Sequence, residues 1–140
     1  MAKRRPAVVH GILAIDKPLG VTSRAMVNRA MWLLGERRCG HAGTLDPDAS
    51  GVLVLAFGRA TKAIRWLTDG HKTYEAGVRF GATTQTDDAQ GDELARFDLP
   101  TPWTHEHIDA AAQRGVGGMI DQVPPAVSAL KSEGVRDYER

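Results

Sequence analysis

The sequence predicts an α+β fold, a mixed or antiparallel sheet with flanking helices, and three observations lead there. Short apolar runs at residues 11–16 and 52–57 read as strands bounded by turn residues. A period-2 alternation over residues 72–81 sets Tyr74, Ala76, Val78 and Phe80 on one face, and Thr73, Glu75, Gly77 and Arg79 on the other. Between the first two runs, Met26, Ala30 and Leu34 recur at helical spacing with Val27 and Met31 beside them.

In chain order, residues 11–16 form the first strand, closed by a Lys17-Pro18-Leu19-Gly20 turn. Thr22 or Ser23 caps the following helix, which Gly35 ends. Residues 37–51 show no period and hold three glycines and Pro47, so they read as a long shaped loop. Residues 52–57 form a second strand, buried on both faces if the whole run is paired. Residues 59–68 predict a helix with Ala60, Ile64 and Leu67 on one side, and residues 72–81 the clearest strand. A polar loop over 82–93 follows, then a helix near 105–115 with Thr104 as N-cap. Residues 119–123 suggest a strand stopped by Pro124-Pro125, and residues 127–131 with the Gly134 turn suggest a hairpin.

Length and composition bound the functional classes. A chain of 140 residues suits one domain and buries roughly 68–70% of its unfolded surface. With 42% hydrophobic and 25% charged residues, the composition is that of a packed protein rather than a disordered one. The longest apolar run, residues 52–57, is too short to cross a bilayer. No charged-then-apolar leader opens the sequence, and the single cysteine, Cys39, precludes an internal disulfide, so a cytoplasmic location is expected. Residues 1–40 carry eight Lys/Arg against two acids, and residues 82–110 carry seven acids against Arg96 alone. The basic first segment permits a phosphate-rich partner, although a solvated surface explains the charge equally well.

Chemistry concentrates in the loop of residues 37–51, which holds His41, Asp46 and Asp48 among glycines that allow close backbone approach. Taken by itself, Asp46 is either a carboxylate shaping an Asp-Pro turn or an acid presented to a ligand. His105 and His107, two apart near a helix start, point to different sides, and Cys39 with His41 lacks two further ligands, so no metal site is expected. The Asp46-x-Asp48 pair resembles a phosphoryl-transfer pair only weakly, because a Gly-rich loop rather than an apolar strand precedes it.

The motif Gly40-His41-Ala42-Gly43-Thr44-Leu45-Asp46-Pro47-Asp48-Ala49-Ser50-Gly51 resembles the G-H-x-G-x-L-D-P-x-A-[ST]-G signature of TruB-type tRNA pseudouridine synthases. Upstream, Gly11-Ile12-Leu13-Ala14-Ile15-Asp16-Lys17-Pro18 with Gly20, Thr22 and Ser23 is similar to that family's opening strand and D-K-P turn. Downstream, Ala60-Thr61-Lys62, Lys72-Thr73-Tyr74, Thr84-Gln85-Thr86-Asp87-Asp88 with Gly91, Gln122-Val123-Pro124 and Ser128-Ala129-Leu130-Lys131 follow in the family's order. The resemblance implies a pseudouridine synthase-like fold, with residues 1–10 a basic N-terminal arm and residues 11–140 the N-terminal portion of a catalytic domain.

It further implies a soluble, monomeric enzyme that isomerises a T-loop uridine of tRNA (position 55) to pseudouridine, with no metal or cofactor. The target base must leave its stack to be reached. By resemblance Asp46 is the essential carboxylate, either a nucleophile on carbon or a base for a sugar proton. Tyr74 corresponds to the tyrosine that stacks on the base, with core packing as its alternative. His41 corresponds to the histidine beside the flipped nucleotide, with a backbone-bonded loop histidine as its alternative. Lys17 and Pro18 are expected to be structural. Asp88 is read either as a hydrogen-bonding acid near the site or as an exposed loop acid.

Two departures stand out. Val127 occupies a position where the family often has an aromatic residue. The sequence also lacks the family's later strand, with its second tyrosine and basic residue, and the C-terminal RNA-binding module. The 140-residue chain alone is therefore expected to turn over poorly, and a catalytically silent tRNA-binding fragment is the competing reading.

Overall fold

A computed structural model describes residues 7–99, 103–121, 131–132 and 135–136. The chain divides into two compact units, Met1–Tyr74 and Glu75–Arg140.

The first unit is built on a three-stranded antiparallel sheet of order β1-β3-β2: β1 spans Gly11–Lys17, β2 Cys39–His41 and β3 Gly51–Phe57. β3 pairs with β1 along its whole length, Gly11 opposite Phe57 and Lys17 opposite Gly51, and with β2 only at its far end, Cys39 opposite Phe57. The period-2 side-chain rule puts Leu53, Leu55 and Phe57 on one face, where they join Val27 in a buried cluster edged by Val9, Ile15, Met26, Ala30, Met31 and Leu45. The opposite face is only partly covered. Ala56 is buried, yet Val52 is 72% exposed, so the expected burial of this strand on both faces does not hold.

Helix α1, Ser23–Leu34, covers the core face. Thr22, not Ser23, is its N-cap, its hydroxyl accepting from the Ala25 N–H at 3.1 Å. Gly35 ends it in the left-handed conformation (φ 62°), with the Glu36 N–H reaching back to the Met31 carbonyl at 3.1 Å. The inward stripe stops a turn short, because Leu34 stays 44% exposed.

After β3, the expected single helix at 59–68 forms as a 3-10 helix, Gly58–Ala63, running into a short α-helix, α2, Ile64–Thr68. Ile64 packs on β2 so closely that a Cβ at Gly40 would lie 2.7 Å from its Cδ1. Gly58 (φ 57°) leaves no room for a side chain, since a Cβ there would collide with the Val9 carbonyl and the His10 ring.

The predicted strand at 72–81 is not found. Residues 71–80 pair with no strand among the described residues, and every one of them is exposed. Alternation supplies a strand's faces, but a strand exists only through a partner ladder.

In the second unit, the polar segment expected to be loop throughout instead forms a hairpin of β4, Ala82–Thr84, and β5, Glu93–Arg96. Helix α3, His105–Val116, begins at Thr104, whose hydroxyl accepts from the His107 N–H at 3.3 Å. Phe80 stacks on Trp103 with ring centroids 5.8 Å apart. Residues 119–121 are irregular, and the rest of the strand expected at 119–123 lies outside the described residues. A two-residue hairpin, β6 (Lys131–Ser132) with β7 (Val135–Arg136), stands where a hairpin was expected, its residues 127–130 and 134 likewise outside. Residues 1–6 of the basic arm lie outside as well. Among the described residues, no helix is long and apolar enough to cross a membrane.

Candidate active site: the loop between β2 and β3

The loop of residues 42–50 leaves the sheet at the end of β2 and returns at the start of β3. Its first step continues the ladder, the Ala42 N–H donating to the Val54 carbonyl at 2.9 Å. Gly43 (φ 118°) and Gly51 (φ 119°) then take backbone conformations that other residues resist, and these set the two corners of the loop.

Between those corners the backbone is held from below. The Ser23 hydroxyl, 2% exposed on the first turn of α1, accepts from the Leu45 N–H and donates to the Leu45 carbonyl, both at 2.9 Å. Two residues on, the Pro47 carbonyl accepts from the Gly20 N–H at 2.7 Å and from Lys17 Nζ at 3.4 Å. The Ala49 N–H closes a turn onto the Asp46 carbonyl at 3.1 Å, with Pro47 in the second position where its fixed φ suits the bend.

Lys17 is fully buried, and its ammonium also donates to the carbonyls of Val21 (2.7 Å) and Pro18 (3.0 Å). An ion taken out of water needs such oxygens around it. Lys17 is thus the hub that ties the Pro18–Val21 turn to the Asp46 loop, in keeping with its expected structural role.

Asp46 itself is exposed, and among the described residues its carboxylate enters no hydrogen bond or ion pair. His41 is half-buried, and its Nδ1 lies 2.6 Å from the Gly43 carbonyl. A carbonyl only accepts, so Nδ1 is the donor in this contact and Nε2 lies outside it. The histidine is bonded to backbone, and one ring nitrogen still remains available.

Tyr74 is 65% exposed on the unpaired 71–80 stretch, and no hydrogen bond among the described residues joins it to His41 or Asp46. It is not a core tyrosine. Asp88 behaves as the loop acid: its Oδ1 accepts from Thr86 Oγ1 (2.6 Å), the Gln90 N–H (2.8 Å) and the Gly91 N–H (3.2 Å). The Thr86 hydroxyl first, then these amides, hold its carboxyl below the usual range.

Two functional supports escaped the sequence reading. Ser23 reads as a cap candidate, and only the fold shows it gripping Leu45. Glu36, 5% exposed, accepts from the Arg38 (2.9 Å), Val8 (2.8 Å) and Val9 (3.1 Å) N–H groups. Those backbone bonds, that of Arg38 foremost, pull its carboxyl down to about 2. Cys39 is not activated, because burial pushes its thiol up.

Fold and loop together define an α+β protein that presents the Asp46 carboxylate, unengaged among the described residues, on a glycine-cornered turn held through its backbone. The family model for TruB family pseudouridylate synthases (N-terminal domain) matches residues 31–140, and the chain belongs to that family. It is 46% identical over 138 residues to the tRNA pseudouridine synthase B of Roseobacter denitrificans, covering 99% of this chain and 45% of that protein. To the synthase of the same name from Cupriavidus metallidurans it is 52% identical over 131 residues (94% and 41%). The corresponding figure for Thermobifida fusca is 48% over 137 residues (95% and 45%). The chain spans less than half the length of these curated relatives.

Proposed function

We propose that this chain carries the aspartate-bearing part of a tRNA pseudouridine synthase acting on a T-loop uridine, and that residues 11–140 are the N-terminal portion of a pseudouridine synthase-like catalytic domain. The observation that supports this best is the division of labour in the Asp46 turn. The flanking residues are fixed through their backbones by Ser23, Gly20 and Lys17, while among the described residues the carboxylate has no partner.

The reaction is an isomerisation. The bond from sugar C1′ to uracil N1 breaks, the ring turns, and C1′ bonds to C5; the hydrogen leaving C5 is balanced by one gained at N1. A carboxylate with open lone pairs serves either as nucleophile on carbon or as base for a sugar proton. The nucleotide must swing out of its stack to meet it. Tyr74 supplies an accessible aromatic face for the extruded base, and His41 an available ring nitrogen beside it. The partner is the T-arm of tRNA, met by a monomeric, cytoplasmic protein.

The test uses the full reading frame that encodes this chain, a T-arm stem-loop and release of tritium from 5-tritiated uridine. Asp46→Asn keeps the shape of the turn and removes the charge, so it is expected to lower the rate by at least about 10²–10⁴-fold while RNA binding persists. An Asp46→Asn protein that still forms pseudouridine at the parental rate would refute the assignment.

A further inference from the structure

The helical segment behind β2 has two unlike sides. Ala60, Ala63, Ile64 and Leu67 are partly buried, whereas Arg59, Lys62, Arg65 and Trp66 are exposed. In a 3-10 helix residues three apart eclipse one another, so Arg59 and Lys62 share an edge, and Arg65 extends it into α2. The row runs about 11 Å from Arg59 to Arg65 at the rises of the two helices, a length that covers about three phosphates along one strand. Arg38, just before β2, joins the same region, its Nε donating to Thr61 Oγ1 at 3.1 Å.

Charge in this region is one-sided and unspent. No acid occurs anywhere from residue 49 to residue 68. Among the described residues none of the four cations enters an ion pair. A surface shaped only for solubility usually interleaves both signs, and this one does not. The Arg65 guanidinium carbon stands over the Trp66 ring, 3.9 Å from its centroid, while the indole stays 61% exposed. Three arginines suit phosphate recognition, because the guanidinium fork meets two phosphate oxygens at once. An aromatic plane beside them suits a nucleobase or ribose better than a lipid headgroup.

We propose that Arg38, Arg59, Lys62 and Arg65 form a docking surface for the phosphodiester backbone of the RNA, with Trp66 at its edge. The surface is separate from the Asp46 turn. It is coupled to that turn through β2, since Ile64 on the inner side of the same helix packs against Gly40, next to His41. This inference rests on the proposed action on tRNA, and it adds where the backbone of that RNA is gripped.

The experiment measures the affinity of a T-arm stem-loop by fluorescence anisotropy across a salt series, in the full reading frame. Each phosphate contact contributes about 0.7–0.9 to the slope of log affinity against log salt. Replacing Arg59, Lys62 and Arg65 together by Gln is therefore expected to flatten the slope by about 2–3. Arg59→Lys with Arg65→Lys keeps the charge and should keep the slope. A control removing equal charge from the second unit, Arg79, Arg96 and Arg114 to Gln, should change it by less than one contact's worth.

An unchanged slope in the first triple variant, or an equal fall in the control, overturns the docking surface. So does a loss confined to phosphatidylserine vesicles, which would point to a membrane instead. Tritium release separates the two readings. Turnover with an unchanged slope removes only the docking surface, whereas no turnover by the parental protein removes the proposed function whatever the slope.

Discussion

Ser23→Ala isolates the clamp under the Asp46 turn. The substitution deletes one oxygen, leaves α1 a good helix former, and keeps the Thr22 cap in place. It strips the Leu45 N–H and the Leu45 carbonyl of their partner, both held at 2.9 Å. A buried backbone group left without a partner costs about 1–3 kcal/mol. Leu45 is only partly buried, so water reaches part of the deficit, and the lower end, about 1 kcal/mol for each group, gives about 2 kcal/mol. With a urea dependence of about 1–2 kcal/mol per molar, the unfolding midpoint should fall by about 1–2 M with little change in slope. The local signature is sharper. Freeing Leu45 by about 2 kcal/mol should quicken exchange of its amide hydrogen about thirtyfold if the loop opens locally. Thr22→Ala is the matched control: it should cost about 1 kcal/mol through the lost cap and spare the Leu45 amide. Equal exchange at Leu45 in wild type and Ser23→Ala, or equal quickening in Thr22→Ala, would refute the clamp.

Two further outcomes are expected. Glu36 titrates at about 2 in the folded protein instead of 4.5, so between those values the unfolded chain binds more protons and stability rises with pH. Its contribution is complete above about pH 5 and is lost as pH falls toward 2; acid unfolding followed by circular dichroism should show Glu36→Gln with a shallower dependence in that window, and parallel curves would count against the three-amide cradle. Gly58→Ala places a methyl against the Val9 carbonyl and His10 in a left-handed backbone conformation. A cost of about 3 kcal/mol or more is expected from strain plus overpacking, read as a lower melting temperature, whereas Gly11→Ala, with open space around it, should move it by far less.

What the sequence conveyed was mostly local. The capping threonines at 22 and 104, the Gly35 stop and the apolar run of β3 act within a few residues, and each stands where expected. The features that escaped depend on pairing at long range. β2 is three residues among glycines, and only its register with the end of β3 makes it a strand. The alternation at 72–81 is as regular as any in the chain, yet alternation is a property of one segment and a ladder belongs to two. Ser23 carries a polar side chain that composition assigns to the surface, and the fold buries it because the backbone of Leu45, 22 residues away, needs it. At the candidate site, the motif singles out Asp46 and His41, but nothing local announces that Leu45 and Pro47 are held through their backbones.

The structure also contrasts acids whose lone pairs are filled with one whose lone pairs stay open among the described residues. Glu36 and Asp88 each gather three hydrogen bonds, which stabilise the anion, fill its lone pairs and lower its basicity. Such a carboxylate organises the backbone around it and is a poor base or nucleophile for the same reason. Asp46 is organised the other way round: its neighbours supply the polar backbone groups that are gripped, and its own oxygens accept nothing among the described residues. Rigidity and availability would compete if they had to come from one side chain. By moving the restraint onto Leu45 and Pro47, the fold fixes where the carboxylate stands without occupying it, and that separation is what the proposed chemistry requires.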